Sequence, residues 1–159
     1  MSPIVADIIP GLIRDGYSLN PWMTPYHESA HALIAHRCGR AVSSLTVSQH
    51  GGLTRSEGPS SPEIGLLVAL AGDRGELLAP SCLPELIGFS SGQDQVDAEQ
   101  CLDLIARGPL DREWILANVI DQVDKLLVDE RDLLHRIAKQ LLQRGRLDGY
   151  QLRRLLEAY

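Results

Sequence analysis

Aromatic side chains are scarce in this sequence: its 159 residues include one Phe, two Trp and four Tyr. The core must therefore come from Leu, Ile, Val and Ala, which favours packed helices. Cysteine is also rare. Cys38, Cys82 and Cys101 are odd in number and widely spaced, which excludes a disulfide framework and a CxxC zinc knuckle and points to a reducing compartment. Long apolar runs are missing, since the longest, residues 64–71, falls far short of the ~20 residues that span a bilayer. The start of the chain has no basic segment, and Asp7 and Pro10 interrupt its apolar stretch, so no signal peptide is expected. Positive charge is in deficit too, with 15 Lys and Arg against 21 Asp and Glu and a net charge of −6. That balance argues against nucleic acid or a membrane as partner. A small acidic domain is expected, cytoplasmic, and monomeric or a small homo-oligomer.

Local signals divide the chain into an N-terminal arm, residues 1–23, broken at Pro10, and one domain, residues 24–159. Thr24 reads as the N-cap of a helix with Pro25 in its first position. That helix carries YHESAHALIAHRC and stops near Gly39. Residues 41–47 (AVSSLTV) have strand composition, and Gly51-Gly52 mark a turn before a short second strand at Leu53-Thr54. A helix from Ser61 to about Leu78, a loop over 79–93 and a helix from about Asp94 to Arg107 follow. Gly108-Pro109 end that helix, and the last third keeps a helical period to a short final helix capped by Asp148. The fold class is mainly α, with a small β-ribbon after the first helix.

Charge is uneven along the chain. Residues 94–132 hold 4 positive and 11 negative side chains, and residues 133–159 hold 6 and 2. These read as solvated helix faces. The basic end, Arg136, Lys139, Arg144, Arg146, Arg153 and Arg154, is read in that way and not as a nucleic-acid or membrane contact.

The chemistry lies in His27-Glu28-Ser29-Ala30-His31, an HExxH sequence. Four residues along a helix leave two side chains only ~40° apart, so both imidazoles project from one face, as two ligands of a tetrahedral zinc require. Glu28 is offset around the helix, where it can take a proton from the attacking water. A catalytic zinc needs a third protein ligand. His36 faces ~140° away from His31 on the same helix, His50 has no favourable spacing, and His135 lies on a charged segment and reads as solvated. Carboxylates are the better source, and Asp94, Asp97, Glu99 and Asp103 are the densest supply.

YHESAHALIA resembles the zinc helix of the FtsH-type ATP-dependent metalloproteases, which carry a YHExGHALVA-like segment. LTV with GGLT resembles that family's strand and glycine turn. LLVALAGDRGELL resembles its GGRAAEEL-like helix, which places Glu76 on the family's glutamate as a packing or hydrogen-bonding residue near the site, not a ligand. SSGQDQVDAEQCLDLIA resembles the turn leading to the aspartate that is the third zinc ligand, and DLLHRIAKQLLQRGRLDGYQLRRLL resembles the C-terminal helices. The resemblance spans residues 24–158 in order. It implies that zinc is held by His27, His31 and Asp94, with Glu28 as general base. Asp97 is the alternative third ligand, because Cys101, Leu104 and Ile105 follow it with nearly the same spacing as the residues that follow Asp94.

Two departures bear on function. Ala30 replaces the family's glycine within the motif, and the 159 residues contain no GxxxxGK[ST] phosphate loop. The resemblance therefore implies a zinc-dependent endopeptidase without an ATPase of its own, taking unfolded proteins or peptides, alone or with a separate ATPase partner. The alternative is a non-proteolytic zinc-binding scaffold or regulator. Backbone along residues 41–47 is expected to receive an extended substrate as an added strand. Cys38 and Cys101, on helices among apolar neighbours, read as packing residues.

Overall fold

The computed structural model describes residues 20–48, 51–82, 84, 87 and 92–158. Most of the expected N-terminal arm, residues 1–19, lies outside them, as do His50 and part of the loop expected over 79–93. Among the described residues the order is α1 (Met23–Arg37), β1 (Ala41–Ser48), β2 (Gly51–Glu57), α2 (Pro62–Glu76), α3 (Gly92–Ile105), α4 (Pro109–Asp129), α5 (Arg131–Arg144), β3 (Arg146–Asp148) and α6 (Gly149–Glu157). The fold is mainly helical with one small antiparallel sheet.

Helix α1 is the centre of the molecule. From Met23 to Ala35 nearly every residue is buried, as a helix enclosed on all sides requires. It packs on α2, α5, β1 and β2. It begins at Met23, one residue before the expected cap at Thr24, because Asn20 organises the entry instead. The Asn20 Oδ1 accepts from the Trp22 backbone N–H at 3.0 Å, and its Nδ2 donates to the carbonyls of Pro80 and Ser81. Gly39, at φ +81°, ends the helix in the left-handed conformation that glycine adopts readily. Ser61 caps α2 by accepting from the Ile64 N–H at 3.2 Å, and Asp148 and Gln151 form a reciprocal capping box on α6.

Shortage of aromatics shows directly in the core, whose largest fully buried side chains are all Leu or Ile. Leu33, Ile34, Leu45, Leu127, Leu133, Leu134, Ile137, Leu141, Leu147 and Leu152 join α1, β1 and α4 through α6. A smaller cluster, Leu66, Ala69, Ala98 and Leu102, joins α2 to α3. Cys38 and Cys101 are half-buried and pack against these clusters. Ion pairs of the acidic stretch run to Arg37, Arg74 and Arg112.

The sheet corrects one expectation. Its order is β2-β1-β3, so β1 lies in the middle, paired with β2 along its length and with β3 at Ser44–Thr46. Residues 44–47 are therefore bonded on both sides and present no edge to a peptide. Among the described residues, the outer edge of β2 pairs with no strand. At three residues, β3 is too short for an alternating pattern to be recognised in the sequence.

Small residues set how closely α1 and α2 approach. A Cβ at Gly75 would lie 2.4 Å from the Ala30 Cβ and 2.9 Å from the Tyr26 carbonyl oxygen. Gly75→Ala is expected to destabilise the fold by about 1–3 kcal/mol. Combined with Ala30→Gly it should cost less than the two single changes together, as urea denaturation of all four proteins would measure. Strict additivity would show that this contact does not set the helix spacing.

Candidate metal centre

One face of α1 carries His27 and His31, both 6% exposed, with ring centroids 4.6 Å apart. Each imidazole is oriented through its Nδ1. His27 Nδ1 is 2.7 Å from Glu76 Oε1, on α2, and His31 Nδ1 is 2.7 Å from the Val68 carbonyl oxygen, also on α2. A carbonyl and a carboxylate accept hydrogen bonds, so both Nδ1 atoms carry the proton and donate. The two Nε2 atoms then present lone pairs to each other at 3.0 Å.

Asp94, in the first turn of α3, closes the group. Its Oδ2 is 2.8 Å from His27 Nε2 and 3.0 Å from His31 Nε2. Three electron-pair donors thus meet at separations of 2.8–3.0 Å, an arrangement that only a cation stabilises. Ligands of a tetrahedral zinc, each at about 2.0–2.1 Å, stand roughly 3.3 Å apart. A few tenths of an ångström of expansion would therefore seat an ion, and His27, His31 and Asp94 form a group that can hold a metal. The space comes from Gly72 on α2, where a Cβ would lie 2.4 Å from His27 Nε2 and 2.6 Å from His31 Nε2.

Without an ion, a proton takes that place. Burial opposes the charged form of His27, but hydrogen bonds to Asp94 and Glu76 outweigh it and raise its pKa from 6.5 to about 10. Burial likewise opposes the Asp94 carboxylate, yet hydrogen bonds from His27 and His31 hold it well below the usual carboxylate range. A second carboxylate near His27 Nδ1, Asp73, stands 3.8 Å away.

Glu28 is buried beside this group, and its carboxylate is held in place. Thr54, on β2, donates from Oγ1 to Glu28 Oε2 at 2.6 Å and lies 3.0 Å from the Glu28 carbonyl oxygen. Strand β2 passes directly over it: a Cβ at Gly52 would lie 2.5 Å from Glu28 Cγ. His27, Glu28, His31 and Asp94 all line one cleft of about 530 Å³, bounded by β2, α2 and α3.

The other candidates fall elsewhere. Asp97 lines the cleft one turn beyond Asp94, where Gln93 Nε2 donates to its Oδ1 at 2.9 Å, and it is not grouped with the histidines. His36 is half-buried in the last turn of α1. His135 is not solvated as expected. It is half-buried, stacks on Trp22 at 5.1 Å and has its Nδ1 2.6 Å from the Tyr26 hydroxyl, whose pKa burial pushes up to about 12. Glu99 and Asp103 pair with Arg112 on the surface. Sequence reasoning did not find the Val68 carbonyl, because a backbone acceptor has no residue signature. It also missed Thr54 as the partner of Glu28, although GGLT was singled out.

No protein-family model matches this chain, and no curated protein matches it in sequence.

Zinc added to the metal-free protein at pH 8 is expected to displace the His27 proton and release about one proton per ion. The sign follows from the pKa: a group titrating at about 10 is still protonated at pH 8, whereas an ordinary imidazole near 6.5 is not. Apparent affinity should rise as pH increases towards 10. Calorimetry in buffers of differing ionisation enthalpy measures the count, and no release at pH 8 would contradict the arrangement.

Proposed function

We propose that the chain is a zinc-dependent endopeptidase of the kind its HExxH helix resembles, hydrolysing peptide bonds in unfolded proteins or peptides. The observation that carries this reading is the convergence of His27 Nε2, His31 Nε2 and Asp94 Oδ2 in a cleft that Glu28 also lines. Two histidines and a carboxylate are a donor set that suits zinc. Zinc bound there would supply Lewis acidity, polarising a carbonyl and acidifying water.

The side chains divide the remaining work. His27, His31 and Asp94 hold the metal, and Glu76 and Val68 keep both imidazoles in the tautomer that leaves Nε2 free. Glu28 takes the proton from the attacking water and returns it to the leaving amine. Thr54 fixes the position of that carboxylate without neutralising it, since a hydroxyl donates a hydrogen bond but no charge. The outer edge of β2, paired with no strand among the described residues, offers backbone donors and acceptors along the cleft, so an extended peptide would pair there. These 159 residues contain no phosphate loop, so any ATP-driven unfolding of a substrate would be supplied from outside them.

Purified protein should carry about one zinc per chain by elemental analysis. Glu28→Gln should keep that zinc and lower casein cleavage by roughly 10²–10⁴-fold, the usual contribution of a general base. His27→Ala should lose both. Zinc retained by His27→Ala would overturn the ligand set. Full zinc with no cleavage of any unfolded substrate would favour the scaffold alternative.

A further inference from the structure

We propose that the cleft includes a subsite for a lysine or arginine side chain of the bound peptide, selected by Asp97. The inference rests on the reading of the cleft as a peptide-binding site, and it names the class of peptide taken. Four observations support it.

Helix α3 turns one face to the cleft, with Asp94, Asp97, Gln100 and Cys101 along it. Asp94 is engaged by the two histidines. Asp97, three residues on, is half-buried in the cleft wall, and the exposed Gln93 donates to its Oδ1 at 2.9 Å. Its acidic neighbours Glu99 and Asp103 pair with Arg112, whereas Asp97 has no cationic partner among the described residues.

Apart from the histidines, Arg40 is the one cation among the described lining residues, and its guanidinium is occupied. It donates to Ser56 Oγ and to the carbonyls of Ser56, Gly58 and Pro59, which fastens the far end of β2. Among the described lining residues there is therefore no free cationic side chain to receive an acidic one.

The facing wall is apolar, contributed by Ile64, Val68 and Ala69 of α2. At Gly65 a Cβ would lie 2.8 Å from Cys101 Sγ, so the missing side chain lets α2 and α3 meet beneath this part of the cleft. A cleft that combines this apolar wall with a carboxylate lacking a cationic partner matches a side chain with an aliphatic stem and a cationic head. Norleucine would bury a similar stem but leave Asp97 unpaired. Glutamate would bring a second negative charge to it.

The test measures binding, independently of turnover, on the zinc-loaded Glu28→Gln chain. Fluorescein-labelled alanine-based peptides carry one Lys, or one norleucine, at each position in turn. Fluorescence anisotropy should show Lys bound about tenfold more tightly than norleucine at one position, as a partly desolvated ion pair would give. The isosteric Asp97→Asn change, with zinc content checked, should bring that ratio close to one, as should 1 M NaCl. Asp97→Lys should reverse it in favour of Glu. Equal affinity for Lys and norleucine at every position, absence of binding by either included, would overturn the proposal, as would a preference that survives Asp97→Asn. Casein cleavage by the unaltered chain is assayed separately, so failure of the peptidase reading is distinguishable from failure of this subsite.

Discussion

Helices α1 and α2 lie so close that positions 72 and 75 have no room for a methyl group. The geometry of the site depends on that approach. It brings Glu76 to His27 and the Val68 carbonyl to His31 at 2.7 Å each. Those two bonds place a proton on each Nδ1, which turns both Nε2 atoms towards Asp94. A larger residue at Gly72 would occupy the space between the rings. One at Gly75 would push the helices apart and lengthen both orienting bonds.

Burying two histidines and two glutamates in the middle of a small protein is costly unless each is hydrogen-bonded. Here His27, His31, Glu28 and Glu76 are all buried, and all are partnered. Two of them, His27 and His31, converge with Asp94 on one point, and a fold stabilised by Leu and Ile elsewhere brings these polar atoms together there. Strand β2 completes the enclosure from the other side, held over Glu28 by Gly52 and Thr54 and anchored at its far end by Arg40.

Much of this was legible in the sequence. Helical periodicity and the capping residues Ser61 and Asp148 located most helices, because those signals are local. The HExxH spacing placed two imidazoles on one face for the same reason. Asp94 and Asp97 could not be separated by spacing alone, since both lie near the start of one helix. Tertiary packing brings the first to the histidines and leaves the second further along the cleft wall. The position of β1 in the sheet was hidden because its second neighbour is a three-residue strand, residues 146–148, distant in the sequence. His135 was misread because its polar sequence neighbours face solvent while its own ring turns inward onto Trp22 and Tyr26. The close contact of Ala30 with Gly75 emerges only when the two helices are seen together.

The central claim is that the acceptors at His27, His31 and Asp94 exist to hold one metal ion. The most direct measurement is a crystal structure of the purified protein with anomalous data collected at the zinc edge. The account predicts one strong peak bonded to His27 Nε2, His31 Nε2 and an Asp94 carboxylate oxygen at about 2.0–2.2 Å, on the face open to the cleft. A peak held by Asp97 instead of Asp94, or no peak with the three side chains still converging around a proton, would contradict it.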